Sequence, residues 1–126
     1  MKIGELSRRT GLPVVTLRYY QVEGLIESNR TDSNYRDFPD SAVDRVRQIK
    51  NFRALNLSIT EMKQLLDWSS NPAESCGEVC QLIDRQLQRV VEQQATLAEL
   101  EGELRRLLAS CSGTGEGGCN ILRSLS

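Results

Sequence analysis

Apolar residues recur at helical spacing along almost the whole chain, and glycine, proline and turn formers break the recurrence at a few places. In the opening stretch IGELSRRTGLPVVTLRYYQVEGLI, Ile3, Leu6 and Leu12 fall on one inward face. Gly11 permits a tight turn, Pro13 suits a helix start and Gly24 ends the second helix. Two short helices joined in this way predict a helix-turn-helix unit. The following LIESNRTDSNYRDFP places Asn29, Asp32, Ser33 and Asn34 between short β-compatible pieces, the pattern of a two-stranded wing. A third helix is expected over residues 40 to 55, capped by Asp40, with Val43, Val46, Ile49 and Phe52 in helical spacing. Ser58 with Glu61 forms a capping box that starts a fourth helix carrying Ile59, Met62, Leu65, Leu66 and Trp68.

SSNPAE then interrupts the pattern, and Ser75 with Glu78 reads as a second capping box that restarts it. From there Ile83, Leu87, Val90, Gln94, Leu97, Glu101, Leu104 and Leu108 alternate spacings of four and three, a coiled-coil seam with polar breaks at Gln94 and Glu101. A seam of this length left unpaired would expose its apolar residues to water, so a homodimer is expected. The pattern divides the chain into a winged helix-turn-helix domain (1–70), a hinge (71–75), a dimerisation helix (76–109) and a loop with its tail (110–126). The fold class is therefore all-α. Ile121, Leu122 and Leu125 of the tail are expected to pack over the loop as a lid.

Composition narrows the class. Hydrophobic residues are 39% and aromatics 5%, which suits short helices. No apolar run is long enough to span a bilayer and no signal-peptide pattern opens the chain, so a soluble, cytoplasmic protein with no membrane partner is expected. Residues 1 to 63 carry 11 Lys/Arg against 8 Asp/Glu, a balance of +3, whereas residues 64 to 126 carry 5 against 9, a balance of −4. A basic front half and an acidic back half suit a nucleic-acid reader on an anionic stalk.

The candidate chemistry lies in two places. The second helix carries Thr16, Arg18, Tyr19 and Tyr20 where such units enter the major groove; the alternative is that both tyrosines are partly core and Arg18 is a solvated charge. Arg30, Tyr35 and Arg36 would run along the wing toward phosphates, with Asp32 and Asp37 turned away or paired with the arginines. Arg53, near the end of the third helix, is placed to reach a phosphate.

The second place is the set of four cysteines, separated by 3, 30 and 7 residues. Cys76 and Cys80 begin the long helix, and Cys111 and Cys119 flank the glycine-rich SGTGEGG. One straight helix of about 34 residues holds the two groups about 50 Å apart, so they cannot share a ligand within one chain. Antiparallel pairing brings Cys76 of one subunit beside Cys111 and Cys119 of the other, giving two identical sites per dimer. A capping box at Ser75 makes Cys76 the first helical residue, a position that favours the metal-binding thiolate. Three or four thiolates with no histidine are a soft donor set, suited to Cd(II), Hg(II), Pb(II), Zn(II) or Cu(I). The alternative is that the cysteines are small buried hydrophobes.

Taken together, IGELSRRTG, TLRYYQVEGLI, NYRDF, the capped long helix and a terminal C, seven residues, C, N, I, L resemble the MerR family of metal-responsive transcription regulators over nearly the whole chain. The resemblance implies a homodimer on a palindromic promoter operator whose spacer is too long for RNA polymerase. Metal binding then twists the DNA so that the polymerase engages, and the same bound protein represses and activates. It implies DNA contacts from Arg18, Tyr19, Tyr20, Tyr35 and Arg36, and metal ligands at Cys76, Cys111 and Cys119. In members that sense Cu(I), Ag(I) or Au(I) the position of Cys76 is a serine, so a divalent ion is implied here.

CGEV and the short CNIL tail resemble the cadmium- and lead-sensing branch, so Cd(II) or Pb(II) is favoured over Hg(II) and Zn(II). Zinc sensors typically add a cysteine where Ser112 stands, and a loop histidine. Cys80 departs from the pattern; one turn after Cys76, it is either a fourth sulfur or a passive thiol. The expected function is activation of heavy-metal resistance genes. The alternatives are a thiol metal buffer or chaperone, and a redox- or drug-responsive regulator on the same scaffold. With no histidine and no nucleophile and base pair visible, an enzyme is not expected.

Overall fold

The computed structural model describes residues 1–30, 36–111, 113 and 117–126, with the side chains of Arg30 and Arg36 outside that description. Among the described residues the regular structure is helical apart from one ribbon of two two-residue strands, and the chain divides into two units, Met1–Cys80 and Gln81–Ser126. The first unit holds α1 (Ile3–Thr10), α2 (Val14–Val22), the ribbon β1 (Asn29–Arg30) and β2 (Arg36–Asp37), α3 (Ser41–Ala54), α4 (Ile59–Trp68) and the first turns of α5 (Pro72–Ala109). The strands are antiparallel, with Asn29 opposite Asp37 and Arg30 opposite Arg36.

Local chemistry sets the boundaries. α1 stops at Gly11, whose φ of 76° closes the turn while its N–H donates to the Ser7 carbonyl. Thr10 is buried, and its hydroxyl donates to the Leu6 carbonyl at 2.7 Å, so no polar group is stranded in the core. α2 ends the same way. Gly24 has φ of 80° and Leu25 N–H reaches back to the Tyr20 carbonyl at 2.8 Å, as a helix-terminating left-handed residue allows. The capping box at α4 is formed: Glu61 N–H donates to Ser58 Oγ at 3.1 Å and Ser58 N–H to Glu61 Oε1 at 3.0 Å. Around these turns Leu6, Leu17, Tyr20, Phe38, Val46 and Ile49 close the core of the unit.

Two expectations at helix starts are corrected. Asp40 precedes α3 but makes no capping bond, because its own backbone is already helical (φ −58°, ψ −31°) and a capping side chain needs an extended residue. Its carboxylate lies 3.6 Å from Arg9 instead. α5 begins at Pro72, not after Ser75: proline costs nothing at the first helical position because that N–H has no helical partner. Ser75 is buried in the first turn with its N–H on the Asn71 carbonyl, so it is no cap, and Cys76 lies one turn inside the helix rather than at its first position.

The second unit holds the rest of α5 and α6 (Asn120–Ser124). Leu82 and Leu107 are buried, whereas Ile83, Leu87, Val90, Leu97, Leu104 and Leu108 of the seam are exposed along the chain. Of the tail residues expected to form a lid, Ile121 is half-buried while Leu122 and Leu125 are exposed, and most of the loop they were expected to cover lies outside the described residues. Among the described residues no helix is long and apolar enough to cross a membrane.

Candidate functional site

α2 presents Arg18 and Tyr19 outward and Thr16 half-buried, while Tyr20 lies in the core at 2% exposure. The adjacent tyrosines thus divide between surface and interior, their rings 6.2 Å apart and tilted. Val15 and Val22 are also exposed, and with Tyr19 they mark one face at intervals of four and three. Sequence reading passed over both valines, although nothing in the core needs them and their helical spacing with Tyr19 was the available signal. Such a face offers a guanidinium donor, a phenol that can donate or accept, and valine methyls, the group types that complement base-edge acceptors, donors and the thymine methyl in a major groove.

Three of the four basic residues of α3 brace the helix-turn-helix unit, while Arg47 pairs with Asp44 of its own helix. Lys50 Nζ donates to the Thr10 carbonyl at 2.9 Å, across from the turn, and Arg45 Nε donates to the Leu25 carbonyl at 3.0 Å just beyond α2. Arg53, expected to reach outward, donates from Nη1 to the Tyr20 hydroxyl at 2.7 Å with its guanidinium 5.9 Å from that ring. Tyr20 is therefore a core residue whose polar tip holds an exposed arginine.

At the ribbon, the Met1 nitrogen donates to Asp37 Oδ1 at 2.8 Å and to the Phe38 carbonyl at 2.6 Å, while Phe38 N–H returns a bond to the Met1 carbonyl at 2.7 Å. Asp37 is thus paired with the Met1 nitrogen. The backbones of Arg30 and Arg36 face each other across the ribbon. The expectations for Tyr35, Asp32 and the two arginine side chains lie outside the described residues.

All four cysteines are free thiols at exposed positions. Cys76 and Cys80 occupy the first turns of α5 in the first unit. In the second unit Cys111 follows α5, its N–H on the Leu108 carbonyl at 3.1 Å, and Cys119 precedes α6 as its N-cap residue. Asn120 Nδ2 donates to the Ser110 carbonyl at 2.8 Å, so the residues next to the two cysteines are tied and the loop closes at its neck. Arg123 adds a second tie, donating to the Gly117 carbonyl. Gly118 has φ of 96°, and a Cβ there would lie 3.2 Å from Arg123 Nη2, so only glycine suits this position.

At the end of α5, Arg106 bonds both carboxylate oxygens of Glu103 and holds that carboxyl below its usual range. Exposed thiols without histidine fit a soft metal ion. No group of three or more potential ligands converges among the described residues of one chain.

Two family models match the chain. MerR HTH family regulatory protein matches residues 1–68, and MerR, DNA binding, matches residues 43–107. The HTH-type transcriptional regulator HmrR of Rhizobium leguminosarum bv. viciae is 34% identical over 126 residues, spanning 100% of this chain and 98% of its own. A probable heavy metal-dependent transcriptional regulator of Haemophilus influenzae is 31% identical over 127 residues, spanning 100% and 99%. The crystal structure of the transcription regulator PbrR691 from Ralstonia metallidurans CH34 in complex with lead(II) superposes with a TM-score of 0.92 at 35% identity, covering 100% of this chain and 99% of that one. With a family model over more than half its length and relatives that match it end to end, the chain belongs to the MerR family of HTH regulatory proteins, which are DNA-binding transcription regulators and not enzymes.

Proposed function

We propose that this protein is a metal-dependent regulator that binds a promoter operator as a homodimer. It activates heavy-metal resistance genes when a soft divalent ion, Cd(II) or Pb(II) before Hg(II) or Zn(II), occupies a thiolate site shared between subunits. The observation that carries the reading is the donor set: four free, exposed thiols, two of them at the neck of one tied loop, with no third ligand beside them among the described residues. A second chain supplies the missing donor. Antiparallel pairing of the α5 seams would bring the partner's Cys76 to Cys111 and Cys119, and the exposed seam leucines favour pairing of some kind. Likeness to a regulator described in complex with lead(II) supports the choice of ion.

Operator contacts are assigned to Arg18, Tyr19 and Thr16 of α2, with Arg53 held for a phosphate by Tyr20, and Arg30, Tyr35 and Arg36 on the wing. The valine methyls of the same α2 face suit thymine. A bound ion would cross-link three sulfurs from two chains, and the DNA-bound dimer would respond by distorting the promoter for RNA polymerase. Localisation is cytoplasmic, where the promoter and reduced thiols are.

The test is an anaerobic titration of the reduced protein with Cd(II), Pb(II), Hg(II), Zn(II) and Cu(I), followed by sulfur-to-metal charge-transfer absorption and an operator gel shift. Two divalent ions per dimer are expected. Cys76→Ser, Cys111→Ser and Cys119→Ser should each abolish metal-dependent transcription while operator binding persists. Absence of a sulfur–metal band with any ion would overturn the metal assignment, and absence of an operator shift would turn the reading toward a thiol buffer.

A further inference from the structure

The fourth thiol, Cys80, is not needed by a three-sulfur site between subunits. It lies four residues after Cys76 within continuous α-helix, and both thiols are free and exposed. Side chains at this interval share a helix face with their Cβ atoms about 5–6 Å apart. That is beyond the roughly 3.5–4.5 Å separating the Cβ atoms of a disulfide, so the pair does not close on itself while the helix holds. It is within reach of one soft atom bonded to both sulfurs: bonds of about 2.3 Å at a bent angle of roughly 100° put the sulfurs about 3.5 Å apart, which rotation about χ1 brings within reach of Cβ atoms about 5–6 Å apart. The turn is open as well, because a Cβ at neighbouring Gly77 would meet nothing within 4 Å.

We infer that Cys76 and Cys80 form a two-thiol site within one chain for a soft electrophile that bonds two sulfurs, the chemistry of a monosubstituted trivalent arsenical. In its hydrated form such a compound carries one carbon and two hydroxyls on arsenic. Two As–S bonds replace the two As–O bonds, each hydroxyl leaves with a thiol proton as water, and no electron is transferred. Arsenic keeps its third bond to carbon, so a three-sulfur site is not completed. The pair needs neither DNA nor the loop thiols. It shares Cys76 with the proposed intersubunit metal site, so an arsenical on the pair and a metal ion between subunits would compete for that sulfur, and the test is therefore made without the loop thiols.

The experiment uses the full chain with Cys111→Ser and Cys119→Ser, reduced and free of oxygen, and phenylarsine oxide as the probe. Intact-mass analysis should show one arsenical per chain with both remaining thiols protected from iodoacetamide, and far-ultraviolet circular dichroism should show the helix retained. Adding Cys80→Ser, with helix content checked by the same dichroism, should weaken retention against dithiothreitol by roughly 100-fold or more, because the second bond is no longer intramolecular. Four results would each overturn the inference. They are no adduct on the two-cysteine protein, equal retention without Cys80, loss of helix on binding, and one arsenical joining two chains. None of them bears on metal-dependent transcription, which the operator assays read separately.

Discussion

If the α5 seam is where two chains meet, Leu97→Ala should weaken the dimer and leave the folded chain intact. Leu97 is 63% exposed in the single chain, so alanine removes little intramolecular packing, and alanine is the best helix former. Burying a whole leucine side chain stabilises by about 1.5–3 kcal/mol, so covering the exposed fraction contributes about 1–2 kcal/mol per chain and about 2–4 kcal/mol per dimer. Alanine forfeits most of that. At about 1.4 kcal/mol per tenfold, the dimer dissociation constant should rise from roughly 30-fold to several hundredfold. Sedimentation equilibrium over a dilution series reads this directly. Val91→Ala, exposed on the same helix but off the four-and-three spacing, should move the constant by no more than about fivefold, from at most about 0.5 kcal/mol in each chain. An unchanged constant for Leu97→Ala would refute the seam as the interface.

Tyr20→Phe keeps the core filled but removes the acceptor of Arg53, and should cost about 1 kcal/mol in denaturant unfolding with a severalfold loss of operator affinity. No change in either would mean that Tyr20 does not hold Arg53. Asn120→Ala unties the loop neck and should weaken Cd(II) binding by at least about tenfold in a chelator competition without altering operator binding, as for other groups that orient ligands. Glu103, held low first by the Arg106 hydrogen bond and then by its charge, favours the folded helix above the ordinary carboxylate range. That contribution should fade as pH falls through the lowered folded value. Arg106→Gln should move the Glu103 midpoint upward in an NMR titration, and an unmoved midpoint would remove the pair as the cause.

What could be read in advance was local. Gly11, Gly24 and the Ser58–Glu61 box act within a few residues, so composition and spacing suffice to place them. Ser75–Glu78 has the same spacing and forms no cap, because Pro72 had already started the helix upstream. Asp40 fails for a related reason: capping depends on the backbone angles of the capping residue, which residue type does not reveal. Tyr19 and Tyr20 were indistinguishable by pattern, and only the packing of α2 sends one outward and the other into the core. The bonds from Lys50 to Thr10, Arg45 to Leu25 and Arg53 to Tyr20 cross 40, 20 and 33 residues, distances over which spacing carries no signal. The thiols were legible as a soft donor set. The Asn120 tie between their neighbours was not, because it depends on how the chain folds back after α5.

The two units differ in what they lack. The first closes its own core around Leu6, Leu17 and Ile49, whereas the second leaves Leu87, Leu97, Leu104 and Leu108 exposed and its loop with two thiols. On the proposed reading one partner chain answers both deficits, so metal affinity and dimer affinity are coupled and the coupling is reciprocal. A change that weakens pairing must then weaken the ion's apparent affinity, even when it touches no sulfur. Leu97→Ala separates this scheme from a site complete within one chain. At protein concentrations where the variant is largely monomeric, Cd(II) binding should fall and then recover as concentration rises. A Cd(II) affinity independent of concentration would place all the ligands in one chain.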